Sequence, residues 1–340
     1  MTADAPRSIL ERRLVIVTGK GGTGKTTVSA ALALGAAHAG LRVLVVEVGA
    51  DEQITGLLDP GGPTAGYEGH AISPNLRAMR IEPFEALAEY LALQLGVRQL
   101  VDLVVRNQAF RQLMTAAPGW RELITLGKIW HLAQLEPEPG ARTRRDSDRD
   151  LSDPERRFDL IVVDAPATGH GVAFLDVPRV VVSAVRAGPL RAHTERVEQM
   201  IEDPERTLVL PVTLAEELPA REIGELVAQV RDAMGISIDR VVVNAVVGPL
   251  LPEPGIELEG ALARLDGDLD VGQLPPPGVL AWCASYFRAR HELNRRYVAE
   301  IQRSTGLPIL QLPRLSEGIQ GPEQISSLAR PLLAAPAAPP

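Results

Sequence analysis

The sequence predicts an α/β fold: a doubly wound, mainly parallel sheet of about seven strands that carries a helical insertion. Three observations lead there. Short runs rich in Val, Ile and Leu recur without polar alternation, as strands covered on both faces require. Longer stretches with helical spacing separate these runs, the rhythm of a parallel sheet with crossover helices. One glycine-rich turn joins the first run to the first helical stretch, where a βα unit binds phosphate.

Each apolar run is bounded by turn residues. The runs place strands at Leu14–Thr18, Arg42–Val48, Leu76–Ile81, Phe158–Asp164, Leu208–Thr213, Arg240–Asn244 and Pro308–Leu312. Helices are expected over Thr26–Ala39, Pro83–Leu95, Arg98–Thr115, Trp120–Gln134, Ala220–Met234, Gly278–Thr305 and Pro322–Leu333. The whole of 1–340 reads as a single domain. Three helical patterns follow one another without a strand over 84–135, which makes a helical subdomain. Residues 136–157, rich in Pro, Arg, Asp and Glu, read as an exposed charged loop. Pro249–Pro277 reads as irregular, and the Ala/Pro tail 334–340 as disordered. Right-handed crossovers should gather ligands at the carboxyl ends of the strands.

The chemistry is concentrated in Gly19-Lys20-Gly21-Gly22-Thr23-Gly24-Lys25-Thr26-Thr27, directly after the first strand. Glycines let backbone N–H groups turn inward around phosphate oxygens, and the helix that follows adds its positive end. Lys25 should reach the β- and γ-phosphates of a nucleotide, and the Thr26 hydroxyl should ligate Mg²⁺. Lys20 is poorly placed for phosphates held by its own loop and well placed for a nucleotide on a facing subunit. There it would neutralise charge on the transferring phosphoryl group. A second loop, Asp164-Ala165-Pro166-Ala167-Thr168-Gly169-His170, leaves the strand Leu160–Val163. Asp164 can hold Mg²⁺ through a water, and Gly169 lets a backbone N–H approach the γ-phosphate. Losing that contact on hydrolysis would make the loop a switch. His170 has two readings, a cap or packing residue and a part of the site.

The first loop resembles the deviant Walker A loop of the dimeric ATPases, and the wider pattern narrows the resemblance to the arsenite-pump and guided-entry ATPase family. The narrowing rests on Asp164-(x)₃-Thr168-Gly169-His170, Asn75–Pro83, Pro118-Gly119-Trp120-Arg121-Glu122, Val242-Val243-Asn244, Arg288-Ala289-Arg290 with Tyr297, and Leu312–Gly321. The similarity covers most of residues 14–330. It implies ATP/ADP and Mg²⁺ as ligands, with Thr27 near the α-phosphate, and Asn244 and the Pro313–Glu317 loop, Leu315 included, at the adenine. It also implies a dimer of this chain with itself or a homologous ATPase chain. The resulting nucleotide switch would reshape a surface on 84–135 that holds a client or a membrane-associated protein.

Four departures accompany the resemblance. Gly49 stands where the family places the aspartate that orients the attacking water, leaving Asp51, Glu52 or Glu47 as substitutes. Slow turnover, or a purely sensing subunit paired with an active homologue, follows from that. Cys283-Ala284-Ser285-Tyr286 carries one thiol where the eukaryotic-type members share a zinc, so no zinc is expected. A single cysteine in the whole chain also argues against arsenite. The five methionines are scattered, unlike a methionine-rich groove. The apolar residues of the insertion (Leu87, Leu91, Leu95, Leu100, Val104 and Phe110 among them) fit a subdomain core better than a client groove.

Bulk properties bound the alternatives. Thirty-five Lys and Arg against 43 Asp and Glu give a net charge of −8, which argues against a nucleic-acid surface. A partition-type ATPase acting on DNA or membrane therefore ranks last. One cysteine, no signal-like apolar segment over Met1–Arg13 and no long apolar run point to a cytoplasmic protein without a transmembrane segment.

Overall fold

The computed structural model describes residues 8–49, 52–95, 101, 104–105, 107–116, 119–134, 158–166, 171–249 and 275–334. Within them the strands are β1 (Leu14–Thr18), β2 (Val43–Glu47), β3 (His70–Ser73), β4 (Leu76–Arg80), β5 (Leu160–Asp164), β6 (Thr207–Leu214), β7 (Val241–Val246) and β8 (Ile309–Pro313). They form one sheet in the order β3-β4-β2-β5-β1-β6-β7-β8. Every pairing is parallel except β3 with β4. The helices are α1 (Lys25–His38), α2 (Ile54–Leu58), α3 (Pro83–Leu95), α4 (Gln108–Ala116), α5 (Trp120–Gln134), α6 (Gly171–Ala184), α7 (Pro189–Glu202), α8 (Glu217–Ala228), α9 (Pro277–Thr305) and α10 (Pro322–Leu333).

The strands bury both faces, and successive residues serve opposite cores. Leu14 and Ile16 of β1 pack with Leu126 and Ile129 of α5, Phe174 of α6 and Val197 of α7 in one layer. Val15 and Val17 pack with α1 and with Ile325, Leu328 and Leu332 of α10 in the other. A side-chain period of two, apolar at every position, is what a strand covered on both sides needs. This layout brings the carboxyl ends of β1, β2 and β5 side by side: Val17 pairs with Asp164, and Asp164 with Glu47.

The sequence expectations differ from the structure in four places. β3 is an added strand on the sheet edge, antiparallel to β4. It is half-exposed, and His70-Ala71-Ile72-Ser73 has no apolar run to announce it. The short helix α2 follows β2 unannounced. Two helices, α6 and α7, fill the β5–β6 crossover, for which the sequence sets no helix bounds. Pro178 lies inside α6 beside Val180-Val181-Val182, a poor helical stretch by propensity that packing overrides. The expected single helix Arg98–Thr115 is interrupted at Asn107, whose carboxamide oxygen accepts the Phe110 N–H and caps α4. Residues 98–100, the loop 136–157, most of 249–277 and residues 335–340 lie outside the described residues.

In the helical subdomain, Leu87 is buried with Phe84, Val101, Val105 and Trp120, and Leu91 and Phe110 pack against that cluster. These residues form the core of the subdomain. Val104 is exposed.

Candidate functional site

β1 ends at Thr18 and the chain turns at once through Gly19. That residue has φ +144°, and a Cβ on it would lie 2.2 Å from the Val212 carbonyl oxygen of β6. Only glycine lets the loop leave the sheet here. Gly24, at φ +87°, immediately precedes α1, and a Cβ there would lie 2.1 Å from Asn244 Nδ2. Between them the loop is fastened by two bonds to one acceptor. Thr23 Oγ1 donates to the Lys20 carbonyl at 2.9 Å, and Lys25 Nζ donates to the same oxygen at 3.0 Å. Gly21 and Gly22 are exposed at the tip. Lys25 is buried, and burial pushes its ammonium below the usual lysine range against the opposing pull of Asp164.

Asp164 ends β5 facing the start of α1. The Thr26 hydroxyl donates to Oδ2 at 2.7 Å and the Ser29 hydroxyl to Oδ1 at 3.2 Å. Burial raises its pKa, opposed by the Thr26 bond, the charge of Lys25 and the Ser29 bond. A buried carboxylate beside a hydroxyl at a helix N-terminus is a hard oxygen donor set, suited to Mg²⁺. The predicted pair Thr26 and Asp164 is thus brought together. Ser29 was missed, although it lies one helical turn beyond Thr26 on the same face, a spacing that could have revealed it.

The matches to known proteins bear on this geometry. Residues 12–188 match the family model described as anion-transporting ATPase. ATPase BagA of Mycobacterium tuberculosis is 31% identical over 326 residues, covering 90% of this chain and 88% of the relative. The chain belongs to the anion-transporting ATPase family. More distant relatives include ATPase GET3 of Chaetomium globosum, 24% identical over 375 residues (98% of this chain, 94% of the relative). ATPase GET3 of Malassezia globosa is 23% identical over 352 residues (93% and 89%). The glycine loop, Lys25, Thr26 and Asp164 all lie within the matched residues.

Gly49 follows β2, and the three acidic residues expected to substitute there fare differently. Glu47 is buried, and its carboxylate accepts the N–H groups of Gln53 at 2.7 Å and Ile54 at 3.3 Å. Burial raises its pKa to about 7, offset in part by those two bonds and reinforced by Asp164 and Glu52. Glu52 is committed elsewhere. It accepts from the Thr55 hydroxyl at 2.6 Å and from the N–H groups of Ala65 and Gly66. Burial works against its charge, but those bonds and Arg80 leave its pKa lowered. Asp51 and Gly169 lie outside the described residues.

On the opposite flank, Asn244 Nδ2 donates to the Thr23 carbonyl at 3.0 Å, so this side chain braces the phosphate loop from β7. It is aimed there by an irregularity that the sequence did not reveal. The β7–β8 register shifts between Val243 and Val246, and Ala245 has φ +54°. An alanine in the left-handed region marks a bulge that redirects its neighbours. Buried Asn294 of α9 was also missed. It accepts the Val247 N–H at 2.9 Å and donates to the Ala215 carbonyl at 2.9 Å, tying together the ends of β6 and β7. Pro313 ends β8, with Arg314 N–H donating to the Val246 carbonyl at 2.9 Å, and Leu315 packs on the α1 face. Thr27 is half-buried in the first turn of α1. Lys20 is half-exposed, and its Nζ stands 3.1 Å from Glu222 Oε1 of α8. Cys283 is half-buried, and no metal-competent group of three His, Cys, Asp or Glu exists among the described residues. No helix among them is long and apolar enough to cross a membrane.

Proposed function

We propose that two copies of this chain, or this chain and a homologous ATPase, meet over bound Mg²⁺-ATP, and that hydrolysis alters a surface on the helical subdomain that holds a partner protein. The observation that carries the reading is the division of the two loop lysines. Lys25 is buried inside the loop, whereas Lys20 is turned out of it, half-exposed and, among the described residues, held by Glu222 alone. An exposed pair of this kind contributes little stability, so it leaves Lys20 available to a facing subunit.

In this mechanism the loop N–H groups and Lys25 grip the β- and γ-phosphates, and Asn244 and the Pro313–Glu317 loop flank the adenine. Thr26 and Asp164 would hold Mg²⁺. The metal, when bound, neutralises the phosphate oxygens and fixes their orientation. Lys20 from the facing subunit stabilises the charge that moves onto the leaving phosphate. Gly169 would sense the γ-phosphate, and α6, the next described element, packs against α7 and α5. That packing gives a route from the phosphate to the helical layer. The test is Lys20→Ala in the full chain. ATP binding should persist while turnover falls by about 10²-fold or more; normal turnover would remove the trans lysine from the mechanism.

A second reading is favoured by one observation. Of the two described carboxylates near Gly49, Glu52 is consumed by Thr55, Ala65 and Gly66, and Glu47 caps α2. A site without a free water-orienting carboxylate would bind ATP tightly and turn over little, as a sensing subunit beside an active homologue. Steady-state hydrolysis by the isolated chain separates the two. Turnover abolished by Asp164→Ala supports the enzyme, and tight binding without turnover supports the sensor.

A further inference from the structure

The helical layer forms a half-open cavity of about 190 Å³ between α3, α5 and α7. None of its lining residues belongs to the phosphate loop or to the strand ends around it. For scale, an apolar cavity of about 150 Å³ admits benzene. The walls are Ala86, Leu123, Ile124 and Leu190 together with the rings of Tyr90 and Trp130. A third ring, His193 of α7, stands between those two, 5.3 Å from Tyr90 and 4.9 Å from Trp130, edge-on to the indole.

Two features mark this as more than a packing gap. Gly127 sits in the interior of α5, where glycine is among the poorest helix formers. A Cβ there would come within 3.0 Å of His193 Nε2, so the glycine makes room for the imidazole. The charges at the cavity are also unevenly matched. Its one carboxylate, Glu89, is already occupied: Lys128 Nζ donates to both oxygens at 2.7 and 2.6 Å, and the Tyr67 hydroxyl donates as well. Arg196 and His131 line the same cavity and have neither an ion pair nor a hydrogen bond among the described residues. His193 likewise has no hydrogen-bond partner there. Burial, then Arg196 and His131, hold its pKa down, which leaves a neutral ring with one donor and one acceptor.

We propose that this cavity is a binding site for a small aromatic carboxylate, its ring against Tyr90 and Trp130 and its anionic head toward Arg196 and His193. Aromatic walls supply contact area for a flat body, and the Arg196 guanidinium, without a carboxylate partner among the described residues, selects an anion. The inference is independent of dimerisation and of the nucleotide mechanism.

The experiment is saturation-transfer NMR and calorimetry on the full chain at neutral pH without nucleotide, using benzoate and its neutral amide, benzamide. Benzoate should bind saturably at one site per chain, with benzamide weaker by about tenfold, the scale of a charge-assisted contact. Arg196→Gln, at an exposed position that should not disturb folding, should bring benzoate down to the affinity of benzamide. Gly127→Ala should abolish binding of both by pressing on His193. Equal affinity for the two probes would overturn the assignment of an anion site. So would benzoate binding unchanged in Arg196→Gln, or the absence of saturable binding at millimolar ligand. Should Gly127→Ala fail to fold, the Arg196→Gln comparison decides alone.

Discussion

The two flanks of the phosphate loop are built from different chemistry. On the β5 side, buried carboxylates face hydroxyls and an ammonium: Asp164 with Thr26, Ser29 and Lys25, and Glu47 one strand further on. On the β7 side, neutral amides do the fastening: Asn244 to the Thr23 carbonyl, and Asn294 to Ala215 and Val247. Charge buried on the first flank is costly, and its protonation answers to pH and metal. Amides on the second flank hold position without titrating. Changes on the β5 side should therefore alter chemistry and pH response, and changes on the β7 side should alter stability and loop placement.

The largest expected effect tests the first flank. Asp164→Asn should reduce Mg²⁺-dependent turnover by about 10²–10³-fold, the scale of losing an electrostatic anchor in a closed site. Thermal stability should change little by comparison. If stability falls while turnover survives, the carboxylate is structural and the contrast fails. On the second flank, Asn294→Leu should cost about 2–3 kcal/mol in urea unfolding, because the Val247 N–H and the Ala215 carbonyl lose their partners in a buried place. Its stability loss should be the same at pH 6 and pH 8.

Glu47 sharpens the comparison through pH. Its folded pKa is raised from 4.5 to about 7, mainly by burial. The folded chain then keeps a proton that the unfolded chain releases between those values. Stability from this group is complete below pH 4.5 and is lost as pH rises through 7. Glu47→Gln should remove that slope and leave the variant more stable than the parent at pH 8, by about 2 kcal/mol. A variant no more stable at pH 8 than at pH 5, relative to the parent, would assign the group an ordinary acidity. The smallest effect belongs to Glu222→Gln. The exposed pair with Lys20 should change stability by about 0.5 kcal/mol or less, read from chemical unfolding.

What the sequence revealed follows from how local each signal is. The phosphate loop is a contiguous string, and Asp164 closes an apolar run, so both could be read from neighbouring residues. The strands that bury both faces were found for the same reason. β3 escaped because Ala71-Ile72, flanked by His70 and Ser73, is too short an apolar run to mark a strand, and it gains its place by pairing with β4. α6 escaped because Pro178 and three valines argue locally against a helix that the sheet and α7 stabilise through packing. The roles of Asn294, Ala245 and Glu222 depend on partners about 50 to 200 residues away or on a bulge, and no spacing rule brings those together. Ser29 is the exception, since its position one turn after Thr26 was open to inspection. At the end of β2, the sequence offered three acidic substitutes for the residue missing at Gly49. In the structure Glu52 gives its oxygens to Thr55 and to the backbone of Ala65 and Gly66, partners that no local spacing announces.

The central claim is that each nucleotide site is completed by Lys20 of the facing subunit. Mixing two inactive variants tests it most directly: Lys20→Ala, which keeps its own phosphate grip, and Lys25→Ala, which keeps its outward lysine. Equal amounts, allowed to exchange subunits, should recover about a quarter of the parent turnover, since half of the dimers are mixed and each holds one complete site. A mixture no more active than its two components, despite demonstrated exchange, would contradict the account.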